Sequence, residues 1–219
     1  MSVPSFDLVI FDCDGVLVDS EPIANRILAE RLRKVGLHMP EEEVMRKFVG
    51  RTREGCLALA AELLGHPLPP DFAHKWDAAL FEALRNEVKA IDGVVELIQG
   101  LSIPFCVASN GTRDRLRLTL EAAGLLALFE GRIYCAADVA HPKPAPDLFL
   151  HAAKSMGAAP SRSAVIEDTP TGARAGKAAG MTVFGFAGGT SSTRAALEAE
   201  GAEVFGEMAT LATLIGARP

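Results

Sequence analysis

The stretch Leu8-Val9-Ile10-Phe11-Asp12-Cys13-Asp14-Gly15 sets four continuous apolar residues against two aspartates and a glycine. A run this short, apolar at every position rather than at alternate ones, reads as a strand buried on both faces, as in a parallel sheet covered by helices. Two further runs repeat the pattern. Phe105-Cys106-Val107-Ala108 is followed at once by Ser109 and Asn110, and Ala164-Val165-Ile166 by Glu167 and Asp168. Weaker strand candidates cover residues 132–135, 182–186 and 202–205. Helical periodicity fills residues 92–100, 112–123, 146–156 and 170–179, each opening on a capping residue or proline and several closing near a glycine. From residue 91 onward helix and strand alternate, so the expected fold class is α/β with a parallel sheet.

Residues 21–88 break that alternation, because only helical patterns occur there, at 23–35, 41–48, 53–64 and 71–88. An inserted all-helical cap domain follows, with Gly65 and Pro69-Pro70 as turns inside it. The expected division is a catalytic core from residues 1–19 and 89–219, and a cap from residues 20–88. Trp76, among Phe72, Leu80, Phe81 and Leu84, belongs to the core of that cap.

With 219 residues, 49% of them hydrophobic and 23% charged, the chain can bury a substantial core, and at about 150 residues per domain it holds one or two. No apolar run reaches the roughly 18 residues of a membrane span, and residues 1–6 lack the regions of a signal peptide. A cytoplasmic protein without membrane partners is expected, and a monomer. The formal net charge of −6 argues against a nucleic-acid partner. Cys13, Cys56, Cys106 and Cys135 are widely spaced, without metal-ligand pairing, and read as reduced thiols.

In a parallel sheet all strand C-termini share one edge, where ligand crevices form. Asp12, Asp14, Glu167 and Asp168 would converge there with Ser109 and Asn110. Two unit charges about 4 Å apart repel by about 4 kcal/mol at an effective dielectric of about 20, so positive charge must sit among them. Oxygen ligands without Cys or His favour Mg²⁺, whose shell is completed by water and substrate phosphate. Lys143, framed by prolines in His141-Pro142-Lys143-Pro144-Ala145-Pro146, supplies a second compensating charge. Four carboxylates, one divalent ion and one lysine still leave about one net negative charge, so a phosphate dianion requires a protonated carboxyl, which is a general acid. Asp14 suits that role while Asp12 attacks phosphorus, and Gly15 lets the backbone turn. The Ser109 hydroxyl and the N–H groups opening the 112–123 helix suit the phosphoryl oxygens.

Asp12-Cys13-Asp14-Gly15-Val16-Leu17-Val18-Asp19-Ser20, Ser109-Asn110-Gly111, Lys143-Pro144-Ala145-Pro146-Asp147 and Glu167-Asp168-Thr169-Pro170-Thr171-Gly172 together resemble the four ordered motifs of the haloacid dehalogenase-like superfamily. Within it, the chain is similar to the β-phosphoglucomutase-like phosphatases. The resemblance implies a Rossmann-like core and in-line transfer through an aspartyl-phosphate on Asp12, with Asp14 as acid and then base. It also implies Mg²⁺ held by the Asp12 carboxylate, the Asp14 carbonyl and Asp168, with Glu167 touching the ion or standing behind its ligands. Ser109, Asn110 and Lys143 are the implied phosphoryl-binding residues, Lys143 also orienting Asp12, and Lys143-Pro144 is a candidate cis peptide. The cap loop Val49-Gly50-Arg51-Thr52-Arg53-Glu54 resembles one in which the residue at Arg53 contacts the non-reacting end of a phosphorylated sugar.

A small phosphorylated metabolite, a sugar or sugar-acid phosphate, is therefore the expected substrate and hydrolysis the expected reaction. Glu21-Pro22 is similar to the sugar-phosphate and 6-phosphogluconate phosphatases of the group. Ala24 stands where the mutases carry histidine, which weighs against the alternative of a β-phosphoglucomutase-like phosphomutase. Dehalogenation needs neither Asp14 nor Asp168. A phospho-accepting signalling receiver, the alternative from another class, has no use for a second acid beside its acceptor or for a helical lid.

Overall fold

Six strands, β1 (Leu8–Phe11), β2 (Phe105–Ser109), β3 (Ile133–Cys135), β4 (Ser163–Glu167), β5 (Thr182–Phe186) and β6 (Glu203–Phe205), form one parallel sheet in the order β3-β2-β1-β4-β5-β6. A computed structural model of the chain describes residues 6–48, 51–189 and 193–215. The segment ahead of Phe6 and the Val49-Gly50 pair of the expected cap loop lie outside the described residues. The chain divides into two compact units, one made of the chain up to Asp19 with the chain from Lys89 onward, the other of Ser20–Val88.

The inserted unit holds α1 (Glu21–Lys34), α2 (Glu41–Phe48), α3 (Arg53–Leu64) and α4 (Phe72–Glu87). Ile23, Ile27, Leu28 and Leu32 repeat at helical spacing along α1 and are buried, as are Phe72, Trp76, Leu80 and Leu84 along α4, and these two helices pack together. Thr52 caps α3 by accepting the Gly55 N–H at 3.1 Å.

In the sheet unit the helices are α5 (Val94–Gly100), α6 (Arg113–Ala122), α7 (Leu126–Phe129), α8 (Asp147–Ser155), α9 (Pro170–Ala178), α10 (Arg194–Ala199) and α11 (Met208–Leu214). Alternation along the strands divides the apolar residues between two faces. Leu8, Ile10, Cys106, Ala108, Val165 and Val183 pack against Leu148, Phe149 and Ala152 of α8, Ala173 and Ala175 of α9, and Leu197 of α10. On the other face Phe11 and Phe105 both meet Phe129 of α7 edge to face. Helices covering both faces explain why β1 is apolar at every position.

The strands run slightly further than their apolar runs. Ser109 and Glu167 are the last residues of β2 and β4, whereas residues 132 and 202 fall outside β3 and β6. The short helices α7, α10 and α11 and the 3₁₀ turns Ala136–Asp138 and Pro160–Arg162 were not legible, because one or two turns carry little periodic signal. All four cysteines are free and buried. Among the described residues no helix is long and apolar enough to cross a membrane.

Candidate active site

The strand order reverses at β1: the chain builds outward through β2 and β3, then returns to place β4 on β1's other side. In doubly wound sheets such a switch point opens a crevice beyond the strand ends. Asp12 still donates its N–H to Ile166 O at 2.9 Å, so the first residue beyond β1 is held beside the end of β4. The chain then folds sharply, Cys13 O accepting the N–H groups of Leu17 at 2.9 Å and Val18 at 3.1 Å. Gly15 sits at φ 79°, which a side chain would disfavour, and its N–H bonds Val18 O at 2.9 Å. Val16, Leu17 and Val18 are fully buried and anchor the loop. The two crossings into the insertion are joined by Asp19 N–H to Lys89 O at 3.0 Å and Ile91 N–H to Leu17 O at 3.0 Å.

Lys143 reaches this point from the loop after β3. Its Nζ lies 2.6 Å from Asp12 Oδ1 and 2.7 Å from Glu167 Oε1, and 4.6 Å from the centre of the Phe149 ring. All three charged side chains are almost wholly buried. Burial alone would lower Lys143, but the two carboxylates outweigh it and raise the ammonium above its ordinary value, so it stays charged. Burial pushes the Asp12 carboxyl up to about 7; Lys143 pulls it down, while the charges of Glu167 and Asp14 add to the rise. Asn110 fixes the lysine from behind. Its Nδ2 donates to Lys143 O at 2.9 Å while its Oδ1 accepts the Lys143 N–H at 3.0 Å, and the Lys143-Pro144 peptide is cis.

The four expected carboxylates are thus sorted into different tasks. Glu167 gives Oε1 to Lys143 and Oε2 to the N–H groups of Asp168 at 3.1 Å and Thr169 at 3.0 Å and to the Thr169 hydroxyl at 2.9 Å. It holds the lysine and the Asp168 turn rather than facing open space. Asp14 pairs through Oδ1 with Arg115 Nη2 at 3.0 Å. Asp12 and Asp168 are both buried. Ser109 is buried and its Oγ accepts the Gly111 N–H at 3.3 Å, ahead of α6, whose Thr112 cap accepts the Arg115 N–H at 3.4 Å.

The geometry adds detail to two expectations. Asn110, expected at the substrate, bonds the Lys143 backbone through both its amide oxygen and its amide nitrogen. Among the described residues no three His, Cys, Asp or Glu side chains are grouped to hold a metal ion, and the expected set counts Asp14 through its backbone carbonyl. The donor set nevertheless suits a hard cation, since Asp12, Glu167 and Asp168 are all buried carboxylates and every donor is oxygen. Arg53 lies in the inserted unit, where Nη2 pairs with Asp77 Oδ2 at 2.5 Å.

Three groups escaped the sequence reading. Arg115 and Arg113 occupy the first turn of α6, where the helix dipole disfavours cations, and that misplacement was the available signal. Arg113 Nη2 holds both oxygens of Asp138 at 2.6 and 2.7 Å, and Asp138 accepts the Cys135 N–H at 2.8 Å. Phe149, the third, lies beneath Lys143, and an apolar residue within an apolar helix carries no signal of that contact.

Comparison with known proteins bears on this geometry. The family model for haloacid dehalogenase-like hydrolases matches residues 6–180. The 6-phosphogluconate phosphatase of Escherichia coli (strain K12) is 32% identical over 181 residues, 82% of this chain and 82% of that protein. The validoxylamine A 7'-phosphate phosphatase of Streptomyces hygroscopicus subsp. limoneus is 31% identical over 186 residues, 82% of this chain and 85% of that one. The crystal structure of a hydrolase of the same family from Deinococcus radiodurans R1, with bound phosphate and sodium, superposes with a TM-score of 0.85 at 39% identity, covering 99% of this chain and 97% of that one.

Proposed function

The chain belongs to the haloacid dehalogenase-like hydrolase family, and from that membership we propose that it is a Mg²⁺-dependent phosphatase of a sugar or sugar-acid phosphate, working through an aspartyl-phosphate on Asp12. The observation that carries the reading is the buried contact of Lys143 with both Asp12 and Glu167, at 2.6 and 2.7 Å, at the switch point of the sheet. Phosphatases acting on 6-phosphogluconate and on a 7'-phosphate among the relatives, and the phosphate bound in the Deinococcus radiodurans structure, support it.

Lys143 fixes one oxygen of Asp12 and lowers its proton affinity, which favours the ionised carboxylate as a nucleophile. Asp12 attacks phosphorus, the ester P–O bond breaks, and the departing alkoxide takes a proton from the Asp14 carboxyl. Water, giving a proton back to Asp14, then attacks the phosphorus of the acyl phosphate; inorganic phosphate leaves and Asp12 is restored. Ser109 Oγ and the N–H groups opening α6 orient the phosphoryl oxygens. Asp12, Asp168 and the Asp14 carbonyl would hold Mg²⁺, with Glu167 behind them. When bound, the ion supplies positive charge against the phosphoryl oxygens and keeps Asp12 ionised. Arg53, in the helical unit, is the residue proposed to meet the non-reacting end of the substrate.

The test is phosphate release with Mg²⁺ across phosphorylated sugars, sugar acids, polyols and phosphoglycolate, alongside Asp12→Asn. Turnover of one or more of these esters is expected, with Asp12→Asn silent yet folded by circular dichroism. No release from any ester, or retained activity in Asp12→Asn, overturns the reading.

A further inference from the structure

Helix α6 meets the loop after β1 at two points one helical turn apart. Thr119 Oγ1 lies 3.8 Å from Cys13 Sγ, and Arg115 Nη2 lies 3.0 Å from Asp14 Oδ1. Residues four apart share a helix face, so one face of α6 holds two consecutive residues of the loop. The helix is itself fixed. Thr112 caps its start by accepting the Arg115 N–H, Thr119 Oγ1 donates to Arg115 O at 3.0 Å, and Leu116 and Leu120 are fully buried. The guanidinium therefore extends from a rigid element across 101 residues of sequence to a side chain on a turn. Both members of the pair are only partly exposed, with side-chain exposures of 24% and 20%. An arginine in the first turn works against the helix dipole, so the isolated helix gains nothing from it.

We propose that Arg115 is a positioning residue that holds the Asp14 carboxylate beside the leaving oxygen of the substrate. This rests on the reading of Asp14 as acid and base given above. A carboxylate on a flexible turn samples several rotamers, whereas one gripped by a guanidinium on a fixed helix keeps one. Proton transfer to a departing alkoxide requires the carboxyl within hydrogen-bond reach as the ester bond breaks, so loss of the grip lowers the rate of that step. An ester whose leaving group departs without a proton does not need the carboxyl there.

The experiment compares kcat/KM for a sugar phosphate with kcat/KM for 4-nitrophenyl phosphate in the wild type, Arg115→Ala, Arg115→Lys and Asp14→Asn, all with Mg²⁺. Because kcat/KM covers the steps through alcohol release, it isolates the protonation that differs between the two esters. Arg115→Ala is expected to lose about 30-fold on the sugar phosphate and less than about 3-fold on 4-nitrophenyl phosphate, with Arg115→Lys recovering part of the loss. Should Arg115→Ala fail to fold, the same contrast is read from Arg115→Lys alone, at smaller amplitude. Equal losses on both esters, or none, while Asp14→Asn shows the contrast, overturn the role of Arg115. Absence of the contrast in Asp14→Asn overturns the acid assignment itself, and the positioning role with it.

Discussion

Gly172, in the first turn of α9, leaves the space that the Glu167 carboxylate occupies: a Cβ at residue 172 would overlap both Glu167 oxygens. Glu167 holds Lys143 Nζ at 2.7 Å and the N–H groups of Asp168 and Thr169, so the missing side chain at residue 172 bears on the whole constellation. Gly172→Ala must push Glu167 aside or lift the start of α9. A loss of about 1–3 kcal/mol is expected from overpacking, measured by urea unfolding, together with a marked fall in kcat. An alanine variant with unchanged stability and turnover would show that Glu167 has room to move without disturbing Lys143.

How much of this was legible follows from the range of each interaction. The run from Leu8 to Phe11 and the residues behind it announce a buried strand and a site at its end, because burial on both faces and a change from apolar to acidic side chains are local properties. The Lys143 loop shows itself through its prolines. The partners of these groups do not: that Asn110 spans 33 residues to clamp the Lys143 backbone, or that Arg115 spans 101 to reach Asp14, is decided by how helices and strands stack. Fourfold acidity was visible, but which carboxylate pairs with which cation was not, since that depends on side-chain directions at the strand ends. The insertion was readable as helices, whereas the pairing of Arg53 with Asp77 was not.

Asp138 ties the end of β3 to α6, and its titration gives a pH signature. Burial raises its carboxyl, but the Cys135 N–H and the Arg113 guanidinium outweigh burial and hold it below the ordinary value of 3.8. The unfolded chain therefore takes up this proton at higher pH than the folded one. The stabilisation is complete above the unfolded value and is lost as the pH falls through the lower folded one. Asp138→Asn is expected to cost about 1 kcal/mol at pH 7, with the difference from wild type narrowing below about pH 4. Urea unfolding of both proteins across that range checks it; a cost independent of pH contradicts the charge-based account.

Arg53 and Asp77 form an ion pair with side-chain exposures of 43% and 44%, so solvent screens it and removing it costs at most about 1 kcal/mol of stability. Arg53→Ala is accordingly expected to leave the melting temperature nearly unchanged. If the residue also contacts the non-reacting end of the substrate, KM for the preferred ester rises about 5-fold or more while kcat changes little, because contact remote from phosphorus is the same in ground and transition states. Unchanged KM across the substrate panel reduces Arg53 to a surface ion pair.

Metal binding is open to a measurement independent of turnover. The pairing of β1 with β4 in the folded chain sets the loops carrying Asp12 and Asp168 side by side, so an ion that the two shared would stabilise the native state alone. At about 100-fold excess over its dissociation constant, Mg²⁺ contributes about 2.7 kcal/mol, a rise of roughly 5–10 °C in melting temperature for a domain of this size. Asp168→Asn is expected to abolish most of that rise. Chelation is expected to silence phosphate release, and Ca²⁺ to restore little of it, because its larger, looser shell holds donors further out than Mg²⁺ does. A melting temperature indifferent to Mg²⁺, with phosphate release persisting in chelator, would rule out Mg²⁺ binding at Asp12 and Asp168.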